Sequence, residues 1–354
     1  MHALEGVSRG CTVVHLEREV GPRGASVRNF GLIWVSGRAS GPELALALRA
    51  REKWAEIGVR HPDIGFRANG SLTLVRTPAE LAVLEQVVAR DDAEARGIAL
   101  LTADAARRVN PALAGEYLAA LHCSTDAVVE PREVLAPLRA TCLASGRYRW
   151  LPGREMVGFS DHEVTDATGE RHRGDRVVLC TGAAHGGILA EALSGAPVRR
   201  VRLEMLETEP FEGRLTTSLA DGDSLRYYPA FDVPARRALG PQSSVAALWA
   251  AQLLAVQRHD GGLTIGDTHS TEEPFAFDVD EAPYRHLLDV AATLFGRSIP
   301  PIVRRWAGVY SQVTEAAGDA IYLRHWVAAG VEVVTGAGGR GMTLSPAIAE
   351  ETFQ

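Results

Sequence analysis

The sequence predicts an α/β fold interleaved with antiparallel β structure, and three observations carry that expectation. Asp175-Arg-Val-Val-Leu-Cys-Thr-Gly182 is an apolar run ending in a glycine turn, the pattern of a strand buried on both faces of a parallel sheet. Val198 to Glu209 alternates in polarity, as a half-buried antiparallel strand does. The first pattern then returns near the C-terminus, in Val331–Thr335 and the glycine-rich loop behind it. Such a return implies a domain interrupted by insertions rather than two beads on a linker. The expected division is 1–64, 131–197 and 300–354 for a discontinuous nucleotide-binding domain, and 65–130 with 198–299 for an α+β substrate domain. The 354 residues exceed the roughly 250–300 at which single cores stop growing.

Taken in order, Met1–Arg9 reads as the tail of a helix, with Gly10 as its C-cap. Cys11–Leu16 is apolar and β-branched, so it reads as a strand. Residues 17–31 form a polar, glycine-containing loop. Leu44, Leu48, Trp54 and Ile57 share one face of a helix over 43–57. Gly65–Arg76 alternates like a strand. Thr77 as N-cap and Pro78 at the first helical position open a helix to Gly97. A short helix over 102–109, paired strands over 118–129 and a proline-led helix over 131–145 follow. Strands are expected at 148–159 and 163–166, and a helix at 184–193. Leu263–Asp267 is a strand, Ala282–Phe295 a helix, and Val303–Gln312 and Val331–Thr335 are strands. Gly336 to Pro346 is a glycine-rich loop ahead of a last helix over 347–353.

Composition narrows the function. With 37 Lys and Arg against 44 Asp and Glu, the formal net charge is −7, which disfavours a general nucleic-acid binder, because phosphate contacts need excess cations. No stretch approaches the roughly 18 uninterrupted apolar residues of a membrane span. The four cysteines, Cys11, Cys123, Cys142 and Cys180, form no CxxC motif and suit a reducing compartment, so a cytoplasmic location is expected. The histidines have no ligand-like spacing, and no metal is expected.

Four constellations carry chemistry. Glu17 closes the first strand, where a carboxylate in a dinucleotide-binding fold accepts hydrogen bonds from a ribose; a solvated loop glutamate is the plainer alternative. Gly24-Ala-Ser-Val-Arg-Asn-Phe-Gly31 is rich in small residues, which let a backbone approach a flat group closely. Val177–Ala183 ends a strand in Thr-Gly-Ala, as at the ligand-bearing carboxyl edge of an α/β sheet. Gly336, Gly338, Gly339 and Gly341 lie between a strand and a helix, and their N–H groups suit an anion or an electron-rich ring edge. His269, two residues from Asp267 at a strand end, is a further candidate.

In their order and spacing, these motifs resemble the D-amino-acid oxidase family of FAD-dependent oxidoreductases, which includes glycine and sarcosine oxidases. The resemblance covers essentially the whole chain. It implies a Rossmann-like FAD-binding domain and FAD as cofactor. Carried onto this sequence, it assigns FAD to Glu17, Arg18, Ala25, Ser26, Arg28, Asn29, Val157, Thr181, Gly182, Gly338, Gly339, Gly341, Met342 and Thr343. Family members open with a strand and a Gly-x-Gly-x-x-Gly turn; no such motif lies near the start of this sequence, so the first strand and phosphate turn are expected to be missing. An incomplete gene model is the first explanation and an impaired protein, unable to bind FAD, the second.

Ser26–Trp34, Ile265–His269 and Arg305–Tyr310 also resemble a bacterial subgroup associated with phosphonate catabolism. That resemblance implies oxidation of the C–N bond of a small anionic amine, such as 2-aminoethylphosphonate or its N-methyl form. Hydride passes to the flavin, the imine is hydrolysed, and oxygen or another acceptor takes the electrons. The substrate residues expected are Arg28, Tyr228, His269, Arg305 and Tyr310, with Arg304 a rival to Arg305 for the anion. Glycine-oxidase-like members carry an Arg where Tyr310 stands here, which argues against an α-amino acid; a glycine, sarcosine or D-amino-acid oxidase is the alternative. No cysteine follows Cys180, so a C-terminal cysteinyl-flavin link is unavailable. A nicotinamide-dependent dehydrogenase would leave the C-terminal glycine loop without a role.

Overall fold

The computed structural model describes residues 1–354, and they fold as two compact units. The first comprises Met1–Asn29, Pro131–Val201 and Val309–Gln354; the second, Phe30–Glu130 and Arg202–Gly308.

In the first unit the strand Val13–Glu17 pairs in parallel with Tyr148–Pro152. Val177–Leu179 pairs in parallel with Val331–Thr335, which pairs antiparallel with Leu323–Ala328. The Asp175–Gly182 run is thus a parallel strand, as its apolar character predicts. Val164, Leu179, Leu189, Leu193, Val331 and Val333 form the buried cluster. The helix His2–Ser8 packs against Leu135–Ala144 and Gly341–Thr352, and Gly10 follows it with a φ of +84°, the left-handed stop that the sequence suggests. Gly6 allows the close approach, since a Cβ there would lie 3.1 Å from the Phe353 ring.

The second unit is built on an eight-stranded mixed sheet. Its order is Ile302–Val313, Val198–Pro210, Gly262–Gly266, Leu254–Gln257, Ser218–Ala220, Ser71–Val75, Ala119–Cys123, Ile98–Thr102. Val198–Pro210 pairs antiparallel with Gly262–Gly266, matching its alternating sequence. The amphipathic helix Glu281–Phe295 buries Tyr284, Leu287, Ala291 and Leu294 in one cluster with Leu72, Leu206 and Ile265. Thr77 accepts from the Glu80 N–H while Glu80 accepts from the Thr77 N–H, so this capping box fixes the helix start that the sequence marks.

The structure departs from the sequence reading in definable places. The helix expected to run from 78 to 97 is two pieces, Pro78–Val88 and Ala93–Arg96, because Asp92 turns inward to bind Arg96 at 2.8 Å and Ser40 at 2.5 Å. The last helix begins at Gly341 rather than 347 and carries Pro346 inside it. As the sixth residue of that helix, Pro346 cannot donate to the Met342 carbonyl, which instead accepts from the Ser345 hydroxyl at 3.3 Å. The unit boundary falls at 29/30 instead of 64/65. The reason is the buried run Phe30–Val35, whose Leu32–Ile33 pairs with Ala127–Val128. The later boundaries, at 201/202 and 308/309, lie within long strands.

Candidate functional site

The first unit gathers the residues expected to hold the cofactor at strand ends and loops. Glu17 ends its strand, and its carboxylate accepts from the Glu19 N–H at 3.0 Å. Arg18 is exposed beside Glu19 and Glu155. Ala25–Val27 is a turn of 3-10 helix. It is braced from within, because the Asn29 amide donates to the Ala25 and Ser26 carbonyls at 2.8 and 3.1 Å. Ser26 and Arg28 are exposed on this turn. Val157 is half-exposed on the strand Met156–Ser160.

The carboxyl ends of the parallel pair lie side by side, with Thr335 Oγ1 donating to the Gly182 carbonyl at 2.9 Å. Thr181 Oγ1 is buried there without a hydrogen-bond partner. Gly182 has a φ of +58° and open space where a Cβ would point. Val313 N–H donates to the Gly336 carbonyl, and Gln312 packs at 3.2 Å from where a Gly338 Cβ would sit. This brings the strand end carrying buried Tyr310 alongside the glycine loop. Gly339 lies in the turn Gly338–Arg340, Gly341 faces open space, and the helix it opens has no side-chain cap. The loop therefore runs straight into a helix N-terminus; Met342 follows and Thr343 is buried. An orphan hydroxyl and open glycine positions at this sheet edge fit a flat, electron-rich group such as a flavin.

The second unit holds the chemistry-bearing side chains. Asp267 is buried at the end of Gly262–Gly266. Its Oδ2 lies 3.5 Å from His269 Nε2, and its Oδ1 accepts from the Gln252 amide at 3.3 Å. His269 Nδ1 sits 3.0 Å from the Ala250 carbonyl. A carbonyl only accepts, so Nδ1 carries a proton and Nε2 faces the carboxylate. Burial pushes the Asp267 carboxyl up from its ordinary value, opposed by His269. The Gln252 Oε1 is buried without a hydrogen bond. Tyr227 stacks on the imidazole with centroids 4.2 Å apart and meets Tyr228 edge-on at 5.0 Å. Burial, then the Asp267 charge, raises the Tyr228 phenol well above its ordinary range.

Two adjacent tyrosines in a strand would face opposite sides. Here Tyr227 ends the short helix Ser224–Tyr227 and Tyr228 follows it in extended backbone, so both rings gather near His269. Arg38 was not among the expected residues. It is buried, donates to the Trp34 carbonyl at 2.7 Å and lies 5.7 Å from the Tyr228 ring centroid. Gly37 makes room for this packing, since a Cβ would come within 2.7 Å of Tyr228 and 2.8 Å of Trp34.

Arg305 is not part of this cluster. It donates to Glu281 at 3.0 Å and lies over the Tyr284 ring at 5.3 Å. Arg304 likewise pairs with Glu207 at 3.2 Å. Asp166, Glu170 and His172 converge as metal ligands do, but Arg154 binds both carboxylates at 2.5 and 3.0 Å, a cation where a metal ion would sit. No helix is long and apolar enough to cross a membrane.

One titration bears on the tyrosine segment. Burial, reinforced by Asp223, pushes the Asp221 carboxyl up to about 7, three residues before the helix that ends in Tyr227. Its Oδ1 accepts from the Leu253 N–H at 3.1 Å. Between the unfolded value of 3.8 and about 7, the folded chain keeps a proton that the unfolded chain has lost. Stability therefore falls as pH rises through that window, and the penalty is complete above it. Asp221→Asn keeps the acceptor oxygen and removes the charge. Its expected gain near pH 8 is on the order of 3 kcal/mol, vanishing near pH 4. Melting temperatures of the two proteins across pH check this, and parallel curves would refute it.

The profile of the family described as "DAO: FAD dependent oxidoreductase" matches residues 1–354. Among solved structures, the chain is similar to glycine oxidase from Geobacillus kaustophilus. The TM-score is 0.78 and the identity 20%, with 99% of this chain and 89% of that one covered. It is also similar to L-proline dehydrogenase from P. horikoshii, with a TM-score of 0.77, 19% identity and coverage of 99% and 87%. Iminodiacetate oxidase from Chelativorans sp. BNC1 gives 0.73, 17%, 99% and 90%. At such identities the likeness shows the fold alone. No curated protein matches the sequence.

Proposed function

Since the chain belongs to the DAO family of FAD-dependent oxidoreductases, we propose that it oxidises the C–N bond of a small anionic amine, an aminophosphonate such as 2-aminoethylphosphonate or its N-methyl form. The observation that carries this reading is the buried Asp267–His269 pair beside the unsatisfied Gln252 oxygen. Gln252 Oε1 accepts an N–H of the bound amine. The Asp267–His269 pair holds one proton between a buried carboxylate and an imidazole, which keeps the amine neutral, the form whose C–H bond yields a hydride. Stacking on Tyr227 fixes the imidazole plane, and burial by Tyr228 keeps water from the pair.

FAD, when bound, supplies the hydride acceptor. The residues assigned to it are Glu17 and Arg18 for the ribose side. Ala25, Ser26, Arg28, Asn29, Thr181, Gly182 and the Gly338–Thr343 stretch serve the ring, with Val157 an apolar neighbour. Tyr310 lies beside the glycine loop. Arg304 and Arg305 pair with Glu207 and Glu281; Arg28, the other arginine expected at the substrate, is assigned to the anion on the chemistry of its guanidinium, which matches a phosphonate or carboxylate fork.

The relatives include enzymes named for glycine, L-proline and iminodiacetate, so an amino-acid substrate is the reading to beat. The test is anaerobic mixing of the FAD-loaded protein with 2-aminoethylphosphonate, its N-methyl form, glycine, sarcosine and iminodiacetate. Rapid loss of the visible flavin band with an aminophosphonate, slowed at low concentration by Arg28→Ala, is expected. Bleaching by glycine or iminodiacetate alone would refute the substrate class.

A further inference from the structure

A cavity of about 620 Å³ in the second unit has no part in the reaction above. Its lining includes Arg67, Arg214, Arg258 and His259 and contains no aspartate or glutamate. It lies at the far end of the hairpin that carries the Asp267 cluster. Gln252 and Asp267 exchange backbone hydrogen bonds at one end, while Gln257 pairs with Leu263 at the other. The five residue steps from Gln252 to Gln257 span about 17 Å of strand, so the two places are separate.

The charges in this cavity are not balanced. Arg258 is 9% exposed. It donates to the Phe30 carbonyl at 2.5 Å, and to the Val129 carbonyl and Glu130 at 3.4 Å each. Its Nε is buried without a partner. Arg67 donates to the same Glu130 at 2.7 Å and to the Gln257 carbonyl. One carboxylate therefore serves two guanidiniums. Arg214 is exposed and carries no hydrogen bond or ion pair, and His259 adds a second rim group 3.8 Å from Glu130. A guanidinium pair held by backbone carbonyls and one shared carboxylate keeps its shape when empty and meets an oxyanion with little reorganisation.

We propose that this cavity is a second ligand site, one that binds a small oxyanion of the phosphate, phosphonate or carboxylate class. Arg258 and Arg67 form its fixed wall, and Arg214 closes on the anion from the rim. The loop 211–217 that carries Arg214 also includes Phe211, whose ring stacks under the Arg297 guanidinium at 4.4 Å. The ligand thus meets an apolar surface beside the charges, as a phosphonate or carboxylate on a short carbon chain requires.

Isothermal titration of the FAD-loaded protein with inorganic phosphate, and separately with malonate, tests the proposal. Saturable one-to-one binding is expected, with Arg214→Glu weakening it at least about tenfold. Arg214 is exposed and unpaired, so that variant folds; Arg258→Met is the second, and is expected to abolish binding. Whichever of phosphate and malonate binds more tightly identifies the class. Arg28→Ala separates this site from the substrate reading, and is expected to leave phosphate affinity unchanged. Loss of binding in Arg28→Ala but not in Arg214→Glu would overturn the proposal while leaving the substrate reading intact. So would the absence of saturable binding of either anion at about 10 mM.

Discussion

Asp267→Ala in the FAD-loaded protein is expected to lower kcat/KM for the amine substrate by about 10²–10³-fold, the range lost when a positioned proton acceptor is removed. Asp267 is buried, faces His269 Nε2 at 3.5 Å and is held by Gln252 at 3.3 Å. With the carboxylate gone, the imidazole keeps only the Ala250 carbonyl and the Tyr227 ring, and nothing remains on its Nε2 side to share a proton. Asp267→Asn separates charge from shape. It retains an oxygen for the Gln252 amide but cannot hold the proton, so its kcat/KM falls nearly as far.

The pH profile carries a signature that a structural role would not. Burial raises the Asp267 carboxyl, so activity should climb with pH as the pair loses its proton, and Asp267→Asn should flatten that limb. His269→Asn combined with Asp267→Asn should cost little more than either alone, because the two residues act as one unit. Activity of Asp267→Asn within twofold of the parent, with an unchanged profile, would show that the pair has no part in the reaction.

Much of this was legible in the residues themselves. The parallel strand at 177–179, the capping box at Thr77 and the glycine loop at 336–341 are local signals, because apolar runs, caps and glycines act within a few residues of where they stand. The Asp267–His269 pairing was legible for the same reason. Arg38 and Gln252 were not. Each is an ordinary polar residue in sequence, placed by contacts from far away: Arg38 meets Tyr228 across nearly two hundred residues, and Gln252 meets Asp267 across a hairpin. Arg305 shows the converse failure. The resemblance implies a substrate contact for Arg305, but Glu281, on a helix twenty-four residues earlier, takes up the guanidinium. Whether a surface arginine is spare or spent depends on which carboxylate the fold brings to it, and that pairing leaves no local trace. The unit boundary at 29/30 was missed because the apolar run 30–35 reads equally well as the end of one domain or the start of another. Its partners, Ala127–Val128 and Asp126, lie about ninety residues away.

Asp126 underlies the second large effect. It is fully buried. Its Oδ1 accepts from the Val35 and Ser36 N–H groups at 2.6 and 3.0 Å, and its Oδ2 from the Ser36 and Ser71 hydroxyls at 2.6 Å each. One carboxylate thus fastens the 34–38 segment, with Trp34 and Arg38, to the strand Ser71–Val75. Asp126→Ala would strand four buried donors. Each buried group left without a partner costs roughly 1–3 kcal/mol, and the terms are not additive, so a total of about 3–5 kcal/mol is expected. Set against the 5–15 kcal/mol by which domains are typically stable, that loss takes away a large share of the reserve. Urea unfolding should show a lower midpoint with an unchanged slope. Asp126→Asn distinguishes this account from a general intolerance of the site. Its oxygen can still receive both N–H groups, and the Ser36 and Ser71 hydroxyls can rotate to accept from its amide, so it should lose less than half as much. Equal losses in the two variants would mean that the negative charge, rather than the hydrogen-bond count, holds the segment. Because Arg38 and Trp34 pack on Tyr228, Asp126→Asn should also raise KM for the amine at temperatures where the protein stays folded, with kcat changed little.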